Sequence, residues 1–228
     1  MITARARSGC RVGDSDRLTD LFRVSCGVYR ITSPGRTPHV RRIPSLVCSH
    51  GGVSNVLTEF RRALIDCLRR ETGFADRSAA LVEEYDLGDV AATGQPPSSV
   101  AAGLDARSAE LLCRVRRFDA GPLGLTLSGP AYRDTPMIYA NETLRSLTGY
   151  PLDELRGENP RLFQGPETDP DALDTLREAV DVWAEATVEL WNYRRDGSRF
   201  RNRVSVVPMP DDSGMIANWI GVQAAIDE

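Results

Sequence analysis

Apolar residues recur at helical spacing in the first predicted elements of the chain. From residue 55 an apolar stripe runs towards Gly73, and the neighbouring arginines, Arg61 among them, lie off that stripe. This pattern predicts an amphipathic helix. Two more helices are predicted over 77–86 and 104–118, with a proline- and serine-rich linker between them. Residues 1–50 show no sustained period, so we interpret them as a weakly ordered leader.

A strand-like period replaces the helical one after Gly121 and Pro122. Alternating apolar and polar positions predict five strands, at 123–127, 136–140, 185–194, 199–209 and 215–226. Asn141 is suited to cap a short helix after the second strand, and Asp169 to open a longer one that ends near residue 182. These elements divide the chain into the leader at 1–50, a helical extension with a linker at 51–120 and a sheet domain at 121–228.

The distribution of charge along the chain indicates which classes of partner it is expected to bind. The chain has 28 basic and 32 acidic residues, and the region 121–228 holds 10 arginines against 18 acidic residues. Nucleic-acid binding needs a clustered basic surface, so the sheet domain is not expected to bind nucleic acid. The basic residues of the leader are expected to be solvated.

Cysteine usage and hydropathy indicate the compartment. The five cysteines are odd in number and none has Cys-x-x-Cys spacing, so neither a disulfide framework nor a zinc site is implied. The sequence has no apolar run near the roughly 18 residues of a membrane span. We therefore expect a protein of the reducing cytoplasm that has no membrane partner.

One turn carries most of the sequence information about function. The segment 157–165 reads Gly-Glu-Asn-Pro-Arg-Leu-Phe-Gln-Gly, which resembles the flavin-binding turn of the LOV (light-oxygen-voltage) subfamily of PAS domains, Gly-x-Asn-Cys-Arg-Phe-Leu-Gln. Pro160 stands where that family has its photoreactive cysteine. The resemblance extends over 121–228 and implies an α+β fold. In that fold a five-stranded antiparallel sheet has helices that form a pocket on one face, and the N-terminal helices would be an extension to it.

The resemblance also implies a non-covalently bound flavin, with FMN favoured over FAD because nothing in the sequence marks a site for an adenine. Asn159, Pro160, Arg161 and Gln164 match the turn around the ribityl chain and phosphate, and Arg177 matches a second phosphate arginine. In the family, two asparagines and a glutamine on the strands bind the polar edge of the ring. The counterparts of these amides, with three further pocket positions, are Asn192, Asn202, Gln223, Ser128, Thr135 and Val204.

Strand parity assigns these amides to one face of the sheet. Side chains two residues apart on a strand share a face, so the asparagines and Gln223 point inward among apolar neighbours. Trp219 shares the inward parity of Gln223 and is our candidate electron donor. Trp191, Tyr193 and Val207 point outward. That outer face suits either a homodimer contact or a cover formed by the third predicted helix.

These features predict a sensory module for blue light or redox state that signals through flavin photoreduction and not through a cysteinyl adduct. The alternative is a flavin-free PAS module for dimerisation or protein interaction. The sequence has no Ser-His-Asp, Cys-His or metal-ligand arrangement, so we expect no enzyme. Cys113 is interpreted as a small core residue and not as a substitute thiol. The expected partners are a second copy of the chain, joined through the sheet face or the N-terminal helices, and a downstream protein that the sequence does not identify.

Overall fold

One antiparallel sheet of five strands lies between two layers of helices in the computed structural model, which describes residues 52–226. Its strands are β1 (Gly124–Ser128), β2 (Met137–Ala140), β3 (Ala186–Tyr193), β4 (Arg199–Pro210) and β5 (Ile216–Ala225). They are ordered β2-β1-β5-β4-β3, so the last strand of the sequence is the central strand of the sheet. The predicted five-stranded fold is confirmed.

The helices fall into two groups, one before the sheet in sequence and one inserted between β2 and β3. The first group is α1 (Gly52–Arg69), α2 (Phe74–Glu84), α3 (Ser98–Ala101) and α4 (Ala106–Arg116). The second group is α5 (Glu142–Thr148), α6 (Leu152–Leu155) and α7 (Pro170–Asp181), with short 3-10 helices at Ala131–Arg133 and Pro160–Phe163. The element bounds lie within a few residues of those expected from periodicity.

The first group of helices covers the outer face of the sheet. Phe60 and Leu64 of α1 and Leu111 of α4 belong to the same buried cluster as Val207 of β4 and Ile220 of β5. Burial of these apolar side chains against one another stabilises the layer at roughly 25 cal/mol per Å² of apolar surface removed from water. Of the two alternatives for the outer face, the structure shows at Val207 a cover formed by helices.

Arg61 is the exception to the prediction that the arginines of α1 lie off its apolar stripe. Its side chain is only 5% exposed, because α1 lies against the sheet with Arg61 directed at the backbone of β4 and β5. The prediction is therefore wrong at this residue. Arg61 precedes Leu64 by three residues and Leu68 by seven, so helical spacing itself puts it on the buried stripe, whereas the next residue, Arg62, is exposed.

The side chain of Asn141 links α5, the first helix of the second group, to β1 of the sheet. Its side chain is fully buried, and its Oδ1 accepts hydrogen bonds from the backbone N–H of Leu144 at 3.0 Å and of Leu125 at 2.8 Å. Its Nδ2 donates to the carbonyl oxygens of Phe118 and Leu123. One side chain thus caps α5, as predicted, and also fixes the start of β1.

Some expectations lie outside the described residues. These are the leader at 1–50 and the cysteines Cys10, Cys26 and Cys48. Residues 52–226 all belong to one compact unit, and the boundary near residue 121 stays a prediction from the sequence pattern. Within that part of the chain, no helix is both long enough and apolar enough to cross a membrane.

Candidate functional site

Three amide side chains meet on the inner face of the sheet, the face that the N-terminal helices do not cover. Asn202 of β4 lies between Asn192 of β3 and Gln223 of β5, and each of the three is less than 5% exposed. The Nδ2 of Asn202 donates to the Oδ1 of Asn192 at 2.7 Å and to the Oε1 of Gln223 at 2.9 Å. The Nδ2 of Asn192 donates to the carbonyl oxygen of Phe163. The structure therefore brings the three predicted amides into one connected cluster.

Two buried polar atoms on this face make no hydrogen bond within residues 52–226. They are the Oδ1 of Asn202 and the Nε1 of Trp219. A buried polar atom left without a partner costs about 1–3 kcal/mol, so such atoms usually face a ligand or water. Trp219 of β5 is 4% exposed and is opposite Ser128 of β1 in the sheet register, which puts both predicted residues on this face.

The inner face is open at the middle of the sheet. Val204 and Gly221 lie on the central strands, yet both are partly exposed, whereas their chain neighbours Ser205 and Ile220 on the outer face are buried. Interior strands of a sheet with helices on both faces are normally covered on both sides. A flat apolar group bordered by hydrogen-bonding atoms fits this opening, and an isoalloxazine ring has that chemistry.

The turn at residues 157–165 is organised by Asn159. Its Oδ1 accepts from the backbone N–H of Arg161, and its Nδ2 donates to the Oγ1 of Thr135 at 2.8 Å. Pro160 is the first residue of the 3-10 helix, where a missing N–H carries no penalty. Thr135 has a positive φ of 44°, an unfavourable conformation for a β-branched residue that the contact with Asn159 helps to hold.

The two candidate phosphate arginines point to carboxylates in this structure. Arg161 forms an ion pair with Asp134, and Arg177 forms one with Asp174 at 2.6 Å. Both guanidinium side chains are more than half exposed, and no hydrogen bond is described between them. Gln164 ends the 3-10 helix and is half-buried. The assignment of these three residues to a phosphate and its ribityl chain stays a prediction.

Comparison with known proteins agrees with this geometry. The PAS domain family matches residues 127–224, which includes four of the five strands in full or in most of their length. Over 97 residues the chain is 40% identical to Phototropin-2 of Oryza sativa subsp. japonica, and over 102 residues it is 32% identical to a blue-light-activated histidine kinase of Brucella anthropi. Residues 127–224 form a PAS domain of the LOV subfamily.

The matched relatives are much longer than this LOV domain. The alignments cover 42% of this chain but 11% of Phototropin-2, and 45% of this chain but 21% of the histidine kinase. A third relative, the bacterioopsin transcriptional activator of Halobacterium salinarum, is 37% identical over 49% of this chain and 16% of its own length. Among solved structures, the light-state Aureochrome1 LOV photoreceptor is 38% identical over 50% of this chain and 89% of that chain, with a TM-score of 0.46.

The thiols of the described residues are held on the other side of the sheet from the amide cluster of the LOV domain. Cys67 is buried in the outer-face cluster, and burial raises the pKa of its thiol to about 11. Cys113 lies on α4, also in the outer layer, and is exposed. The interpretation of Cys113 as a core residue is therefore wrong, because the apolar side of α4 is formed by its neighbours Leu112 and Val115.

Two residues that shape the site, Thr126 and Gly165, were not singled out from the sequence. Thr126 of β1 is buried on the inner face opposite Gly221, and a Cβ at Gly221 would lie 2.4 Å from its Oγ1. A Cβ at Gly165 would lie 2.4 Å from the ring of Tyr193, so any larger residue would separate the turn from β3. Thr126 could have been found from the sequence, because it lies two residues before Ser128 on the same strand and shares its face. No local pattern near Gly165 indicated its contact with residue 193.

We expect Arg161→Ala combined with Arg177→Ala to weaken FMN binding about 100-fold and riboflavin binding very little. Hydrogen bonds to charged groups are worth about 1.5–3 kcal/mol each, and riboflavin has no phosphate to lose them. Titration of both ligands against both proteins, followed by flavin fluorescence, measures the difference. Equal weakening of the two ligands would show that these arginines hold the turn and α7 and not a phosphate.

Proposed function

We propose that the LOV domain binds FMN non-covalently and senses blue light through flavin photoreduction, as the input module of a signalling protein. The observation that carries the flavin assignment is the buried amide cluster, with the Oδ1 of Asn202 unpaired beneath an open apolar face. Pro160 carries the assignment of the photochemistry, because proline has no thiol to add to the ring. The similarity to a phototropin and to a blue-light-activated histidine kinase supports light as the stimulus.

Bound flavin would supply a light-driven oxidant for one electron. Trp219 is suited to give that electron, since it is buried on the inner face and no cation–π contact is described for its ring. The oxidised indole would be restored by a thiol reductant from solution. Trp191 is a poor alternative, because the guanidinium groups of Arg199 and Arg201 lie 4.4 and 5.8 Å from its ring and oppose the formation of an indole cation.

Gln223 and Asn202 can convert a changed ring edge into a structural change. The Oε1 of Gln223 accepts from the Nδ2 of Asn202. If the edge of a bound flavin ring that faces Gln223 were to gain a proton, that edge would become a hydrogen-bond donor. The Gln223 amide would then have to rotate to present its oxygen. Its Nε2 would then face the Nδ2 of Asn202, and two donors cannot pair. Asn202 must rotate in turn, and its unpaired Oδ1 can then accept from Gln223.

The outer face offers a route from β5 to the N-terminal helices. Val222 precedes Gln223, and its carbonyl oxygen accepts a hydrogen bond from Arg61 of α1 at 2.9 Å. A shift of β5 would therefore act directly on α1. The output would be a change in how the N-terminal helices meet a second copy of the chain or a downstream protein, with the module itself not an enzyme.

The absorption spectrum tests this function. The purified protein should be yellow with a structured blue band, and blue light with a thiol reductant should bleach that band until an oxidant is added. A near-ultraviolet band that reverts in the dark without oxidant would contradict photoreduction. Colourless protein that does not take up added FMN would favour the flavin-free interaction module.

We expect Trp219→Phe to slow photoreduction several-fold while FMN stays bound. Phenylalanine keeps the ring volume but is a much weaker electron donor than indole. The matched control is Trp191→Phe, which should leave the rate unchanged because that ring lies on the outer face between two guanidinium groups. Flash photolysis of the three proteins measures the radical yield, and equal yields would exclude Trp219 as the donor.

A further inference from the structure

A polar cleft lies on the outer face of the sheet, between α1 and the edge formed by β3 and β4. Its volume is about 650 Å³, and its lining includes Arg61, Arg62, Thr187 and Ser205. Ser205 is opposite Val222 and Thr187 in the sheet register, so the cleft is on the opposite face from Val204 and the amide cluster. It is separate from the candidate flavin site.

The guanidinium of Arg61 lines this cleft and makes fewer hydrogen bonds than it has N–H groups. Its Nη1 donates to the Oγ of Ser205 and to the carbonyl oxygen of Val222, both at 2.9 Å, and its Nη2 donates to the carbonyl oxygen of Arg203 at 3.2 Å. A guanidinium has five N–H groups. The N–H of Nε and one N–H of Nη2 therefore make no hydrogen bond to any described residue.

Arg61 forms no ion pair within the part of the chain that the structure describes. All three of its hydrogen-bond acceptors are neutral oxygens, and no carboxylate lies within ion-pair distance among residues 55–226. Burial and then the nearby Arg203 lower the pKa of Arg61 to about 10, with Glu189 acting weakly in the opposite direction, so the side chain stays charged at neutral pH. A buried cation without an anion is costly unless a ligand supplies one.

The carboxylates around the cleft are already occupied. Glu189 accepts from the Nε of Arg203 at 2.8 Å, and Glu185 pairs with Arg69 at 2.7 Å. Arg62 lines the cleft next to Arg61, is exposed, and forms no ion pair with a described residue. Arg61 and Arg62 thus lie in one concave polar surface without an ion pair to any described residue.

The hydroxyl groups of the cleft complete a set of donors. The Oγ of Ser205 accepts from Arg61 and lies 2.8 Å from the Oγ1 of Thr187. When Ser205 donates its hydrogen to Thr187, the hydrogen of Thr187 is free to point into the cleft. Guanidinium and hydroxyl donors in this arrangement match the oxygens of a phosphate group.

We infer that this cleft binds a phosphate group, held by Arg61 and Arg62 with Thr187 as a further donor. The volume exceeds that of inorganic phosphate, so a phosphate ester of a small molecule also fits. Because Arg61 binds Val222 as well, a bound phosphate would tie α1 more firmly to β4 and β5.

Isothermal titration calorimetry of the full chain with inorganic phosphate, and separately with ribose 5-phosphate, tests the site. We expect saturable binding, with Arg62→Gln about tenfold weaker because one charge-assisted contact is lost. Arg61→Gln should abolish binding, but it also removes three internal hydrogen bonds, so Arg62→Gln is the deciding variant. Binding of both ligands would identify phosphate itself as sufficient, and binding of ribose 5-phosphate alone would identify a phosphate ester.

One matched variant separates this cleft from the other positive charges of the surface. Arg70→Gln removes the same charge at the end of α1, outside the cleft. It should bind phosphate as the unaltered chain does. Absence of saturable heat with either ligand, or equal weakening by Arg62→Gln and Arg70→Gln, would overturn the site. Neither result affects the flavin proposal, which is measured by absorption.

Discussion

Replacing Pro160 with cysteine is expected to install a dark-reverting photoreaction. The neighbours Asn159 and Arg161 already match those of the LOV cysteine, and the Asn159 side chain holds the turn through Thr135 and the backbone of Arg161. The thiol would add to the flavin, with its sulfur forming the new bond and its proton passing to the ring, so no external oxidant is required for reversal. The expected signal is a near-ultraviolet band after blue light that decays in the dark without oxygen.

Pro160→Ala is the matched control for this experiment. It removes the proline constraint without adding a thiol, and should photoreduce as the unaltered chain does. Both variants should fold, because residue 160 is the first of the 3-10 helix and its N–H has no required partner, so the cost is about 1 kcal/mol or less. Flavin-loaded Pro160→Cys without a dark-reverting band would show that this turn keeps residue 160 away from the ring.

Asn202→Leu is expected to weaken flavin binding about 100-fold. Asn202 is fully buried at the centre of the amide cluster, and leucine of similar size cannot donate to Asn192 or Gln223 or offer the unpaired Oδ1 to a ligand. Two or three net hydrogen bonds at about 1 kcal/mol each correspond to roughly a 30- to 150-fold change in affinity. Titration of the ligand-free protein with FMN measures the change.

Thr126→Val provides the comparison for Asn202→Leu. It also replaces a buried polar side chain of the inner face by an apolar one of similar shape, but Thr126 makes no described hydrogen bond to the amide cluster. Its effect on FMN affinity should be much smaller. Thermal unfolding of the ligand-free proteins separates binding from folding. Unchanged FMN affinity in Asn202→Leu would mean that the amides form a structural network only.

The pairing of Arg161 with Asp134 bears on how a ligand would bind. In this structure the Asp134 carboxylate pairs with the guanidinium of Arg161, the group that the family resemblance assigns to a phosphate. Both side chains are largely exposed, so the pair is worth at most about 1 kcal/mol and a phosphate dianion could displace it. The ion pair therefore does not argue against the assignment, and the comparison of FMN with riboflavin decides it.

The sequence by itself determined the strands, their inward and outward faces and the turn at residues 157–165. These are local properties: the strand period of two residues puts each of Asn192, Asn202 and Gln223 on the same side of its own strand as apolar neighbours. The register then added what parity could not, that Asn202 stands between the other two and donates to both. It also left the Oδ1 of Asn202 unpaired, which is the feature that points to a ligand.

Only the tertiary structure decided which charges lose their water and which helix covers which face. Helical spacing puts Arg61, and not Arg62, on the stripe of α1, but only the contact with Ser205, 144 residues further along the chain, shows that this charge is buried against the sheet. The outer face is covered by α1 and α4, whose apolar stripes bury against the apolar positions of that face. Such contacts join segments far apart in sequence, and neither composition nor spacing specifies which segments will meet.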